Sequence, residues 1–360
     1  MRSCEVFFTE KSIRTLRKTI KTYAITNSCT MADNNKNIKN DTVHKLVKNF
    51  FIGSLKYELT KDEINELSLV NQEIFLRSTI HSSLYKKYPL KVEFCRLFFK
   101  KLIKYLEYSE VHDDIYEFIC SLMKIKNEEN KFSYRHYIIE NSLKDIITIK
   151  ETNNMVINGT TGMKTWEAAI MLSDWILCNK KIFYNQRILE LGSGVGFTGI
   201  IVGKYCMPKS TTLTDCHSDV LDLLVENIII NFPDLQKTTS SQYQSFRNDE
   251  KVIDVAKLDW QCPEDVNDYY YPDIVIGADI IYDPSILLPL CNVLNIFFNR
   301  NPQLQVYIAS IIRNEETFNQ FLEVLDNINV AVDKVIPTEC VYLNWDQEIK
   351  KCILKIRKNK

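Results

Sequence analysis

The sequence predicts an α/β protein, a doubly wound and mainly parallel sheet preceded by a smaller helical domain. Three observations carry that prediction. From about residue 146 onward, apolar runs of strand length alternate with helical periods, the pattern of a parallel sheet covered on both faces. Between residues 41 and 145, apolar residues recur instead at three- and four-residue steps. Seven of the nine glycines lie between Gly159 and Gly203, so a chain sparing in glycine uses it where backbone must come close to something.

The 360 residues suffice for both domains, each with its own core. The expected boundaries are 1–40 for a disordered or non-structural extension, 41–145 for the helical domain and 146–360 for the sheet domain. The first thirty residues carry six Lys/Arg against two Glu, an amphipathic start compatible with a targeting segment, yet Met31 opens a second plausible, polar start. A net charge of -1 gives no reason to expect direct nucleic-acid or anionic-membrane binding. No apolar run approaches the ~20 residues that span a bilayer. Eleven cysteines without a CxxC pair, and five dispersed histidines, read as free thiols in a reducing, cytoplasmic compartment with no metal site.

The elements follow in order. Thr60 and Glu63 form a capping box before Ile64, Leu67 and Ile74. Pro89 precedes a stripe of Val92, Cys95, Phe99, Leu102 and Leu106, with Lys100, Lys101 and Lys104 on a solvated face. Asp113 or Asp114 caps a helix bearing Ile115, Ile119 and Leu122. "DIITIKETNNMVI" alternates about Asn153-Asn154, which suggests a hairpin. Helices then read at 165–178, 198–205, 218–231 and 315–325. Strands read at 187–191, 211–215, the stretch ending at Asp259-Trp260, 273–278, 305–310, 330–336 and 351–356, the last two pairing antiparallel.

In such a sheet, ligands sit beyond the carboxyl ends of the strands. "RILELGSGVGFTGI" ends the first strand of the alternating run with an acid and a glycine loop. Gly194-Val-Gly196-Phe-Thr-Gly199 satisfies the GxGxxG of dinucleotide sites. Glu190, Gly192, Ser193, Gly194 and Gly196 equally fill the acid-x-Gly-x-Gly-x-Gly frame of S-adenosylmethionine sites. Electrostatics favours the second: a diphosphate ~5 Å from Glu190, at an effective dielectric of ~20, is repelled by about 3 kcal/mol, whereas an ammonium and a sulfonium welcome acids. Asp215 ends the second strand, where a carboxylate can accept both ribose hydroxyls in either cofactor class. Asp259-Trp260 offers an aromatic face for adenine, or closes the sheet. "VIGADIIYDP" leaves Asp279 and Tyr282 at the sheet mouth.

Taken together, "NGTTGMKTWEAA", "LELGSGVGFTGI", "TDCHSDVLDLLVENI", "KLDW" and "ADIIYDP" resemble methyltransferase family 16, the seven-strand protein lysine methyltransferases. The motifs occur in the family's order and cover about residues 155 to 290. The resemblance implies a seven-strand Rossmann-like sheet, mostly parallel with the last strand antiparallel, and S-adenosylmethionine as cofactor. By the same resemblance Trp166, the Gly192-Ser193-Gly194 turn, Trp260 and Ala278 contact the cofactor, while Asp279 and Tyr282 are the catalytic positions beside an acceptor lysine. "TDCHSDVL", with a helical domain in front, implies a protein acceptor, translation elongation factor 2. Lys164, inside the Gly162-to-Trp166 stretch, and Gly277, before Ala278, are mild departures.

The implied chemistry is an in-line displacement, for which alignment is the main contribution. The acceptor must also be neutral, which at a pKa near ~10.4 costs about 4 kcal/mol at cytosolic pH. Asp279 by itself favours the ammonium, so its expected role is to catch and orient the lysine. Tyr282 would form a wall of the lysine channel. Three rival readings stand beside this one: an NAD-dependent oxidoreductase, for which no His or Tyr-Lys pair is in place; a non-catalytic binding module; and a relative with another protein acceptor.

Overall fold

Along Arg187–Leu191 the side chains alternate between two buried layers: Ile188 packs into one core, Leu189 and Leu191 into another on the opposite face. This strand lies mid-sheet in the computed structural model, which describes residues 41–125, 131–139, 146–156, 159–240, 242–267 and 269–359. The expected extension 1–40 lies outside the described residues, as does Asp145 at the expected boundary.

The N-terminal helices are α1 (Asp41–Phe51), α2 (Lys61–Glu66), α3 (Leu69–Ser78), α4 (Ser83–Lys87), α5 (Val92–Tyr105) and α6 (Asp113–Met123). Their core is aromatic: the Phe50 ring lies 5.4–6.3 Å from those of Phe51, Phe75, Phe98 and Phe99. The Thr60/Glu63 capping box forms with both of its bonds. The helix it opens ends at Glu66, however, so Ile74 falls on the separate α3 and is exposed, and α3 buries Gln72, Phe75 and Leu76 instead. His112, not Asp113 or Asp114, caps α6, its Nδ1 accepting from the Asp114 N–H. Lys101 is no solvated lysine: its Nζ donates to the carbonyls of Leu55 and Tyr57.

A hairpin of β1 (Phe132–Ile138) and β2 (Ile146–Thr152) follows. The expected hairpin about Asn153-Asn154 is thereby corrected: β2 pairs with the strand before it, and Met155 and Val156 are exposed. Polar residues hid β1 from a hydrophobic pattern, since His136 is buried between Thr148 Oγ1 and the Tyr88 carbonyl, with burial holding its pKa down at about 4.

The main sheet takes β3 (Arg187–Leu191), β4 (Ser210–Asp215), β5 (Gln236–Thr239), β6 (Tyr243–Arg247), β7 (Val252–Lys257), β8 (Ile274–Ala278), β9 (Gln305–Ile311), β10 (Val330–Val335) and β11 (Lys351–Lys358). Their order is β10-β11-β9-β8-β3-β4-β7-β6-β5. The five strands β7, β4, β3, β8 and β9 run parallel. β11 inserts antiparallel between β9 and β10, as expected of the last strand. Seven strands were expected; β5 and β6 add an antiparallel edge beyond β7.

One face carries α7 (Glu167–Cys178), α8 (Lys180–Phe183), α9 (Phe197–Tyr205) and α10 (Ser218–Asn231). The other carries α11 (Pro284–Arg300) and α12 (Glu315–Asp326). Two α10 side chains one helical turn apart fasten the hairpin to this body. Asn231 and Asn227 each accept from and donate to the β2 backbone, at Thr148 and Lys150, over 2.7–3.0 Å. Asn227 also donates to the Val195 carbonyl, so one amide joins the hairpin to the glycine loop.

Asp174 on α7 is buried and accepts from the N–H groups of Val341, Tyr342 and Leu343 and from Trp345 Nε1, at 2.6–3.1 Å. Asp174→Asn presents an amide donor to this ring of donors. We expect it to lower the unfolding free energy in urea by about 2 kcal/mol. An unchanged midpoint would show that the bonds add nothing.

Candidate active site

The chain runs from β3 outward through β4 to β7, then returns to the other side of β3 for β8 and β9. The strand order therefore reverses beside β3, and the carboxyl ends of β3, β4, β7 and β8 frame a cleft of about 380 Å³.

The glycine turn forms one wall. Gly192 and Gly194 both have left-handed backbones, φ +61° and +53°. A Cβ on Gly192 would stand 2.9 Å from Ile280 Cγ2 and 3.4 Å from the Trp260 ring; on Gly194 it would meet the Gly162 carbonyl oxygen at 2.8 Å. Backbone and indole thus approach where no side chain fits. Ser193 fixes the turn to β4, its N–H donating to the Thr214 carbonyl while its Oγ accepts from the Thr214 N–H. Asp215 holds the turn from the next strand end, Oδ2 accepting from the Gly194 N–H at 3.1 Å and Oδ1 from His217 N–H at 3.2 Å. Burial raises the Asp215 pKa, opposed by these backbone donors.

Glu190 points to the α9 side of the sheet and is almost wholly buried, with Oε2 accepting from the Gly199 N–H at 3.1 Å. Burial pushes its carboxyl up to about 8, against hydrogen bonds that favour the charged form. Its stabilising contribution is complete below the ordinary carboxyl range and is lost as pH climbs toward 8. In Glu190→Gln the ligand-free protein should escape a loss of about 3 kcal/mol between about pH 5 and 8, read from urea unfolding at several pH values. Parallel pH curves for the two proteins would contradict this.

Across the cleft, Asp259 and Trp260 follow β7, Ala278 ends β8, and Asp279 and Tyr282 follow it. Trp166 closes the near side as the N-cap of α7, its Nε1 donating to the Thr161 carbonyl at 3.0 Å. Every expected site residue except Gly196 borders the cleft. Gly196 stands behind the wall, as the N-cap of α9 packed on Leu224.

Asp279 has φ +55°, a left-handed backbone that is uncommon outside glycine and collects at functional sites. Its side chain is only 6% exposed, and both oxygens are engaged: Oδ1 accepts from the Ile311 N–H at 3.1 Å and Oδ2 from Arg313 Nη2 at 3.2 Å. Tyr282, 59% exposed, stands at the outer lip. The sequence reading missed Arg313. Its position just past the carboxyl end of β9, next to β8, is the signal that could have found it. Thr161 and Gly162, which support Trp166 and receive Gly194, were also missed; they lie within "NGTTGMKTW".

Among the described residues, no group of three or more His, Cys, Asp or Glu could hold a metal ion, and no helix is long and apolar enough to cross a membrane. Residues 143–328 match the family model described as "Lysine methyltransferase". The chain is 33% identical over 255 residues to protein-lysine N-methyltransferase EEF2KMT of Homo sapiens, covering 68% of this chain and 74% of that one. To EEF2KMT of Bos taurus it is 30% identical over 325 residues, covering 87% and 93%. Among solved structures, the Trm1 complex with S-adenosyl-L-methionine from Pyrococcus horikoshii aligns with a TM-score of 0.40 at 14% identity, covering 60% of each chain. With a cleft at the strand ends and a family match spanning all of its walls, the Arg313 side included, the chain belongs to the lysine methyltransferase family.

Proposed function

We propose that the protein transfers a methyl group from S-adenosylmethionine to a lysine of a protein, translation elongation factor 2. The observation that carries the reading is the cleft in which the glycine turn, the buried Glu190, the half-buried Asp215, two tryptophans and the Asp279–Tyr282 corner converge. The relatives named EEF2KMT support the choice of acceptor, and a cytosolic site of action goes with it.

The residues present fit the cofactor. Gly192 and Gly194 let the Trp260 indole and the 160–162 backbone close onto the turn, where a Cβ would hold them off, and the cleft beside it carries the carboxyls of Glu190, Asp215 and Asp259. Asp215 can accept hydroxyl donors, Trp260 offers a flat apolar face, and Glu190 supplies an acid that a neighbouring cation would draw toward ionisation. Trp166 and Ala278 border the end of the cleft that leads to Asp279.

Bound S-adenosylmethionine supplies an electrophilic methyl on a sulfonium, displaced in line by the lysine nitrogen while the C–S electron pair returns to sulfur. The protein's part is alignment. Asp279, rigid by its backbone and its two donors, offers a fixed anchor for the amine; Tyr282 walls the approach. The proton leaves to solvent through the open lip.

Purified protein, radiolabelled S-adenosylmethionine and a cell lysate test the reading together. A labelled lysine in elongation factor 2 is expected. Label in a different protein would overturn the acceptor and keep the transferase; no label at all would overturn both.

A further inference from the structure

We propose that Arg313 is a positioning residue that masks the charge of Asp279, so that the anchored acceptor amine can shed its proton. The inference rests on the lysine-transfer reading above and adds a residue to it.

Arg313 lies between two partners. Its Nη2 donates to Asp279 Oδ2 at 3.2 Å, and its guanidinium carbon stands 5.3 Å from the centroid of the Trp166 ring. The Arg313 side chain is 51% exposed, against 6% for the Asp279 side chain beneath it. The arginine therefore forms the outer surface of the corner that an acceptor must enter. Asp279 and Arg313 follow adjacent parallel strands, and the Asp279 N–H donates to the Ala309 carbonyl, so the pair is fixed relative to the cleft.

The chemistry needs this pair. Roughly one lysine in a thousand is neutral at about pH 7.4, and an unmasked carboxylate beside the amine would shrink that share further. A carboxylate already paired with a guanidinium still accepts a hydrogen bond while its field on the amine is largely cancelled. The amine then loses its proton to water, and its lone pair forms the N–C bond as the C–S bond breaks with its electrons on sulfur. The product nitrogen is positive until it, too, releases a proton to water.

Other charged groups near the corner are engaged elsewhere or lie deeper. Glu167 on α7 accepts from the Asp346 N–H, Asp283 caps α11, and Glu315 at the start of α12 pairs with Lys350. Asp215 is committed to the glycine turn. Lys164, Cys216, Asp259 and Tyr282 border the same cleft. Only Arg313 is within ion-pair distance of Asp279 among the described residues.

The test compares the pH dependence of methyl transfer into lysate protein for the unaltered protein, Arg313→Gln and Arg313→Lys, from about pH 6 to 10 at saturating S-adenosylmethionine. Arg313→Gln should move the acid limb upward by about one pH unit, a tenfold loss near neutrality that vanishes at high pH; Arg313→Lys should keep the original limb. Cofactor affinity by calorimetry should be unchanged in both. Superimposable limbs, a loss equal at every pH, or failure of both variants to bind cofactor would each overturn the role, the last by making Arg313 a structural clasp. No transfer by the unaltered protein is a separate result that would sink the lysine-transfer reading itself.

Discussion

Gly194→Arg should abolish binding of S-adenosylmethionine, weakening it by at least about a thousandfold, or roughly 4 kcal/mol. Two costs act at once. The φ of +53° is unfavourable for any L side chain, and the new Cβ lies 2.8 Å from the Gly162 carbonyl oxygen, which is backbone and cannot rotate aside. To relieve the contact, the turn must part from the 160–162 segment or from Asp215, whose carboxylate accepts the Gly194 N–H. Either movement opens the wall, and the guanidinium fills what space remains. Calorimetry of the purified variant, alongside a thermal melt to show that the sheet persists, is the measurement. Binding within about tenfold of the unaltered protein would mean that the cofactor does not lie against this turn.

Asp279→Asn should slow methyl transfer by about a thousandfold while leaving cofactor affinity within about tenfold. Asparagine is the discriminating substitution here. It tolerates the left-handed φ of +55°, and its Oδ1 can still accept from the Ile311 N–H, so the backbone corner survives. What disappears is the carboxylate that accepts the amine's hydrogen bond and balances the Arg313 charge. Arg313, left without its counter-charge, would then repel the incoming cation. Alanine would confuse these effects by straining the backbone and orphaning the Ile311 N–H. Single-turnover rates and calorimetry separate the two quantities. Equal losses of both would assign Asp279 to structure alone.

The site was legible in the sequence where chemistry and strand period coincide. Glu190, Asp215, Trp260 and Asp279 each stand at or just past the carboxyl end of a strand, so once the strands were read their convergence followed from topology. Gly196 falls outside the cleft lining because spacing alone does not say which glycine borders the cleft and which turns the helix; that depends on Leu224, a residue 28 positions downstream. The electrostatic case for Glu190 pictured a charge facing the ligand. In the fold the carboxyl is buried against Gly199 and raised to about 8, so its influence varies with pH. β1 escaped notice because its stabilisation comes from polar contacts, His136 with Thr148 and the asparagines of α10 with β2, which leave no apolar period. β5 has four exposed residues, and so no alternation to detect.

The place of β11 has a consequence for synthesis. β10 touches the sheet through β11 alone, and β11 comes later in the chain. As the polypeptide leaves the ribosome, residues 330–335 emerge with no partner waiting, and the edge of β9 stays open beside them. The β9 edge, and β10 once it emerges, stay open to pairing with other nascent chains until residues 351–358 have cleared the ribosome and pair with both.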